Sequence, residues 1–107
     1  LVSLGGSLLI NARRPIVDFA ARQRLPAMFP QREYTDDGGL LAYGPTVINN
    51  YQRAAAYVDK VLKGTKPADL PVEQPTRFDF VVNLKTARTL GLTIPPLVLQ
   101  QATEVIE

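Results

Sequence analysis

The stretch Gly39–Gly64, GLLAYGPTVINNYQRAAAYVDKVLKG, contains a complete strand-to-helix passage with both ends of the helix marked. Leu40 to Tyr43 is a short apolar run that predicts a strand, and Gly44 and Pro45 break it. Thr46 stands where an N-cap hydroxyl accepts a hydrogen bond from an orphan N–H of the first turn. Val47, Ile48, Tyr51, Ala54, Ala55, Val58, Val61 and Leu62 then recur at spacings of three and four, which predicts one continuous apolar stripe along a helix. Lys60 and Lys63 put positive charge in the last turn, where it complements the helix dipole, and Gly64 sits where a left-handed cap closes a helix.

Toward the N-terminus, Leu1 to Leu4 reads as the end of a buried strand stopped by Gly5 and Gly6. From Asn11 to Gln23 the positions Ile16, Val17, Phe19, Ala20 and Ala21 cluster on one helical side, with Pro15 tolerated in the first turn. Leu25 to Phe29, bracketed by Pro26 and Pro30, predicts a strand, and Tyr34 to Gly39 a turn with a positive φ. Toward the C-terminus, Thr65 to Pro75 carries three prolines and predicts an extended surface connection. Phe78, Phe80 and Val82 alternate with Arg77, Asp79 and Asn83, the period-two pattern of a strand with one buried face. Asn83 caps a predicted short helix through Leu90, Pro95 and Pro96 start another to about Ala102, and Glu104 to Glu107 predicts a terminal strand. Strands and helices alternate without a repeat, so the predicted fold class is α/β, a layered parallel sheet with flanking helices.

Composition removes several functions. The 107 residues suffice for one domain, which at this size buries about two-thirds of its unfolded surface. The absence of cysteine excludes disulfides and thiol nucleophiles, and the absence of histidine excludes His-assisted nucleophiles and His-containing zinc sites. In LVSLGG, Ser3 lacks the preceding glycine of a nucleophile elbow, and Gly5, Gly6 and Ser7 lack the lysine of a phosphate loop. No catalytic residue, metal site or cofactor site is expected. The net charge of +2 has its only dense grouping in Arg13, Arg14, Arg22 and Arg24, interrupted by Val17, Phe19 and Ala20, so it predicts a solvated helix face and no nucleic-acid partner. No apolar run approaches the ~20 residues of a membrane span.

Ordered phrases across the chain resemble one family, the ABC transporter substrate-binding proteins related to tryptophan and tyrosine importer components. They are ARQRLPAMFP, REYTDDGGLLAYGP, YQRAAAYVDKVLKGTKPADLPVEQPTRF and DFVVNLKTARTLGLTIPPLVLQQATEVIE, which together run from about Arg13 to Glu107. The resemblance implies the C-terminal part of a type I periplasmic-binding-protein fold, two α/β lobes joined by crossing strands and closing on a ligand. Residues 1–43 would belong to one lobe, 44–75 to the helix and connection of the other, and 76–107 to the return crossing and C-terminal elements. It implies capture of a small molecule outside the cytoplasm, with the signal sequence lying outside these residues, and delivery to the membrane permease subunits. The runner-up is the effector-sensing domain of a transcriptional regulator with the same bilobed fold. The fragment is expected either to fold as a partial lobe or to complete its sheet with another copy, as a homo-oligomer.

Ligands of open α/β sheets bind beyond the C-terminal ends of the strands. That rule selects Phe29 and Glu33 after one predicted strand, and Tyr43, Gly44, Pro45 and Thr46 after the next. An aromatic ring there can stack on a ligand, a helix start can hold a carboxylate, and Glu33 can hold an amino group, which suits an amino-acid-like molecule. The alternative for Phe29 and Tyr43 is a core position at a strand end, for Thr46 a cap alone, and for Glu33, Asp36 and Asp37 a solvated turn.

Overall fold

The computed structural model describes residues 1–107. Its elements, in order, are α1 (Ser7–Asn11), α2 (Arg13–Arg22), β1 (Met28–Phe29), α3 (Glu33–Asp36), β2 (Leu41–Pro45), α4 (Val47–Leu62), β3 (Phe78–Asn83), α5 (Leu84–Leu90), α6 (Pro96–Gln101) and β4 (Glu104–Ile106), with one 3-10 turn at Pro67–Asp69. The chain divides into two compact units, Leu1–Gly44 with Asp79–Glu107, and Pro45–Phe78.

The four strands form one sheet in the order β1-β2-β3-β4. β1 pairs with β2 in parallel, Met28 opposite Leu41, and β3 with β4 in parallel, Val81 opposite Glu104. The central pair departs from the all-parallel expectation. Asn83 N–H donates to Leu40 O and Thr46 N–H to Arg77 O, so β2 and β3 run in opposite directions and Tyr43 stands across from Phe80. The predicted strand at Leu1–Leu4 is reduced to a single parallel bridge from Val2 to Met28 at the sheet margin. β2 runs through Gly44 and Pro45 instead of stopping before them, because proline at the last strand position forfeits no internal ladder bond.

The larger unit owns the core. Val17 and Ala20 of α2 pack with Ala27, Phe29 and Tyr34, with Ile10 and Ile16 against them. Leu40, Ala42, Val81, Val82 and Ala87 are also buried, so the sheet is closed in along its middle. The predicted Asn11–Gln23 helix is present as α2, Arg13–Arg22, and a further short helix, α1, precedes it across Ala12 where a loop was expected. The predicted turn at Tyr34–Gly39 winds one turn of helix, α3, before Gly38 takes φ 105°. Asn83 caps α5 as expected, its Oδ1 accepting from Thr86 N–H at 3.1 Å. Its Nδ2 donates to Thr35 O at 3.1 Å, and Thr86 Oγ1 donates to Gly38 O at 2.8 Å. One buried asparagine thus ties the start of α5 to the end of α3.

The smaller unit is built around α4, whose sixteen residues include none that are buried. Ile48, Tyr51, Val58 and Leu62 of its apolar stripe are all exposed, Leu62 by 82%. Its C-terminus closes as the sequence predicts: Gly64 N–H donates to Val61 O and Thr65 N–H to Lys60 O, with Gly64 at φ 104°. The hydroxyl of Thr46, at the N-cap position, makes no capping bond, although its carbonyl accepts from Asn50 N–H.

Candidate functional site

The strand ends of the larger unit carry four of the six selected residues, and the structure gives them different surroundings. Phe29 ends β1 with 1% of its surface exposed. Its ring stacks on Tyr34 with centroids 4.7 Å apart and planes within 11°, so it takes the core position. Gly39 lies against the same ring; a Cβ there would stand 2.8 Å from Phe29 Cε2. Gly44 is held just as tightly. A Cβ on it would come within 1.9 Å of Pro30 O, so the chain after β1 and the end of β2 approach as only glycine permits.

Strand alternation then sorts the remaining groups onto two faces. Tyr43 and Phe80 share one face of β2 and β3, while Ala42, Gly44 and Val81, with Glu104 in register beside Val81, share the other. On this second face Asn83 reaches Thr35, and Arg32, just before α3, meets Glu104 of β4 at 2.9 Å and Asp36 at 3.6 Å. Partial burial works against the charged form of Arg32, but the attraction of the Glu104 and Asp36 carboxylates outweighs it and raises the Arg32 pKa above its ordinary value. Glu33 opens α3, half-buried, with Oε2 enclosed and without a hydrogen-bond partner. The strand-end rule selected Glu33 and Tyr43 in two successive loops; the fold sets α3 and the Tyr43 ring on opposite faces of the sheet.

Tyr43 is 50% exposed, and its ring meets Phe80 edge-on, with centroids 6.1 Å apart and an interplanar angle of 80°. This is the geometry that aromatic quadrupoles favour. Phe80 is the residue that the sequence reading passed over, although its place in the Phe78-Phe80-Val82 alternation was visible. Arg32 and Glu104 carried no such signal, being 72 positions apart.

Pro45 and Thr46 fall in the smaller unit, at the start of α4. That unit has a groove of about 1010 Å³ lined by Asn49, Asn50, Arg53, Tyr57, Glu73 and Arg77, among others. Arg53 Nε donates to Glu73 Oε2 at 2.9 Å and its Nη2 bonds the same carboxylate, while Tyr57 OH donates to Pro71 O at 2.6 Å. Together with the bond from Thr46 N–H to Arg77 O, these strap residues 71–77 antiparallel along α4. The hydrogen bond from Arg53, first of all, and its positive charge hold the Glu73 carboxyl below the usual carboxylate range. The Arg53 pKa rises through the same hydrogen bond, and that of Tyr57 through desolvation and then its contact with Glu73.

No group of three or more His, Cys, Asp or Glu side chains is gathered that could hold a metal ion, and no helix is long and apolar enough to cross a membrane. The arrangement offers ring faces, amide and carboxylate groups for holding a molecule.

Residues 6–106 match the family described as ABC transporter substrate binding protein. No curated protein matches the chain. Among solved structures, the chain is similar to a conserved domain protein from Vibrio cholerae O1 biovar El Tor, with 27% identity and a TM-score of 0.91, covering 97% of this chain and 35% of that one. It is similar also to the ABC domain from Streptococcus pneumoniae in complex with L-Trp, with 28% identity and a TM-score of 0.90, covering 98% of this chain and 36% of that one. The ligand-free, open structure of CD0873, a substrate binding protein with adhesive properties from Clostridium difficile, shares the fold at 18% identity and a TM-score of 0.66, covering all of this chain and 35% of that one. The chain spans about a third of the length of each.

Proposed function

The chain belongs to the ABC transporter substrate binding protein family, and from that premise we propose that it forms part of an extracytoplasmic receptor that captures an amino-acid-like solute, with an aromatic amino acid as the leading class. The observation that carries this reading is the family match over residues 6–106, joined to a likeness at TM-score 0.90 to a domain bound to L-Trp. The receptor delivers its solute to the permease subunits of an importer and performs no bond chemistry. The family match favours this role over effector sensing in a regulator.

In this reading Tyr43 offers the half-exposed ring on which an apolar or aromatic ligand group stacks. Within the smaller unit taken by itself, Pro45 and Thr46 lead into the N-terminus of α4, whose orphan N–H groups and dipole suit a carboxylate. Glu33, which opens α3 on the other face of the sheet from the Tyr43 ring, is left out of the ligand contact. Phe29 and Gly44 act by placement, the one anchoring the end of β1 in the core and the other admitting Pro30 against β2.

The test is thermal unfolding of the intact protein, as its gene encodes it, across a panel of amino acids and small carboxylates. A ligand that binds only the native state adds about 2.7 kcal/mol at a hundred times its Kd. Stabilisation by aromatic amino acids and not by acidic ones is the expected result; a flat panel removes the reading.

A further inference from the structure

The aromatic pair on β2 and β3 is placed where one face of the sheet comes to the surface. Along this face exposure rises from Val82, at 0%, through the partly buried Phe80 to Tyr43, at 50%. A half-exposed ring at a strand end gains little from the core, yet it is not left to its own rotamers. Phe80 stands directly across from it and meets it edge-on at 6.1 Å.

The backbone of Phe80 is itself held at both its N–H and its carbonyl. Its N–H donates to Thr103 Oγ1 at 2.8 Å, and its carbonyl accepts from Thr103 N–H at 2.8 Å and from Thr103 Oγ1 at 3.0 Å. Both backbone groups are therefore clamped by one residue just before β4, which fixes the direction in which the Phe80 side chain leaves the strand. An edge-to-face contact transmits the restraint to the Tyr43 ring. A pre-positioned ring loses less freedom when a ligand stacks on it than a mobile ring does.

We infer that Phe80 is a positioning and specificity-determining residue: it holds Tyr43 edge-on so that the exposed ring offers a fixed surface to a planar aromatic group, in preference to a branched aliphatic one. The inference rests on the receptor reading above and deepens it. Phe80 acts through Tyr43, and Thr103 acts through Phe80.

The test uses the intact protein and its Phe80→Leu, Phe80→Ala and Phe80→Tyr variants, titrated calorimetrically with L-tryptophan and with L-leucine, with melting temperature measured alongside. Phe80→Leu and Phe80→Ala should weaken tryptophan binding roughly 2- to 10-fold, the loss expected for one aromatic pair, and leave leucine binding unchanged. Phe80→Tyr, which keeps the ring, should restore the preference. Equal weakening of both ligands, or an unchanged ratio in a variant that melts normally, overturns the assignment of Phe80. Wild-type protein that binds neither amino acid overturns the aromatic amino-acid reading itself, and this inference with it.

Discussion

Helices α2 and α4 are both amphipathic, yet α2 buries Val17 and Ala20 while α4 buries nothing along sixteen residues. The difference lies in what covers them. In the larger unit, Phe29, Tyr34 and the sheet residues close over the apolar face of α2. In the smaller unit the strap of residues 71–77 holds α4 by polar contacts, Arg53 to Glu73 and Tyr57 to Pro71, and leaves Ile48, Val58 and Leu62 exposed. Apolar periodicity specifies a helix and the side it will bury, but the burial itself needs a second surface. One unit is held by packing and the other by surface ties, and these respond differently to substitution, salt and pH.

The largest expected effects come from the packed unit. Phe29→Ala removes a fully buried ring stacked on Tyr34 and should cost about 3–5 kcal/mol in chemical denaturation of the chain, with outright failure to fold an acceptable extreme. A loss under about 1 kcal/mol would mean that the core does not depend on that ring. Asn83→Ala removes the cap of α5 and the bond to Thr35 together, and should cost about 1–3 kcal/mol, measured the same way. Leu62→Ala in the smaller unit, at a position 82% exposed, should stay within about 0.5 kcal/mol. A large loss there would show that α4 is covered in solution.

The smallest effect is electrostatic. The Glu73 carboxyl titrates below its ordinary range because the folded chain pairs it with Arg53. The tie therefore contributes fully above the pKa that Glu73 has when unfolded, and fades as pH falls through the lowered folded value. Carboxyl NMR should show the depressed midpoint, and Arg53→Met should return it toward that of an ordinary glutamate. Added salt should weaken the same tie, because both partners face solvent.

Much of this was legible in advance for reasons that are local. The Schellman closure at Gly64, the Asn83 cap and the α4 register depend on residues within a turn of one another, so the sequence displays them directly. Partnerships set by topology were not visible. The antiparallel pairing of β2 with β3 brings Tyr43 to Phe80 across 37 positions, counting from 43 to 80, and nothing in either residue's neighbours announces it. The passage of β2 through Pro45 was missed for the same reason, since it is the bond from Thr46 to Arg77 that extends the pairing. Of the candidate residues, Tyr43 was selected by position and is exposed; Phe29 was selected by the same rule and lies in the core, because β1 is only two residues long and its end is still covered by Tyr34.

The receptor reading meets its most direct test in calorimetric titration of the intact protein with L-tryptophan and other amino acids, followed by recovery of the ligand. The account predicts saturable binding of one ligand per protein, strongest for an aromatic amino acid, with the ligand recovered unchanged. No heat across the panel, or a ligand returned chemically altered, would contradict it.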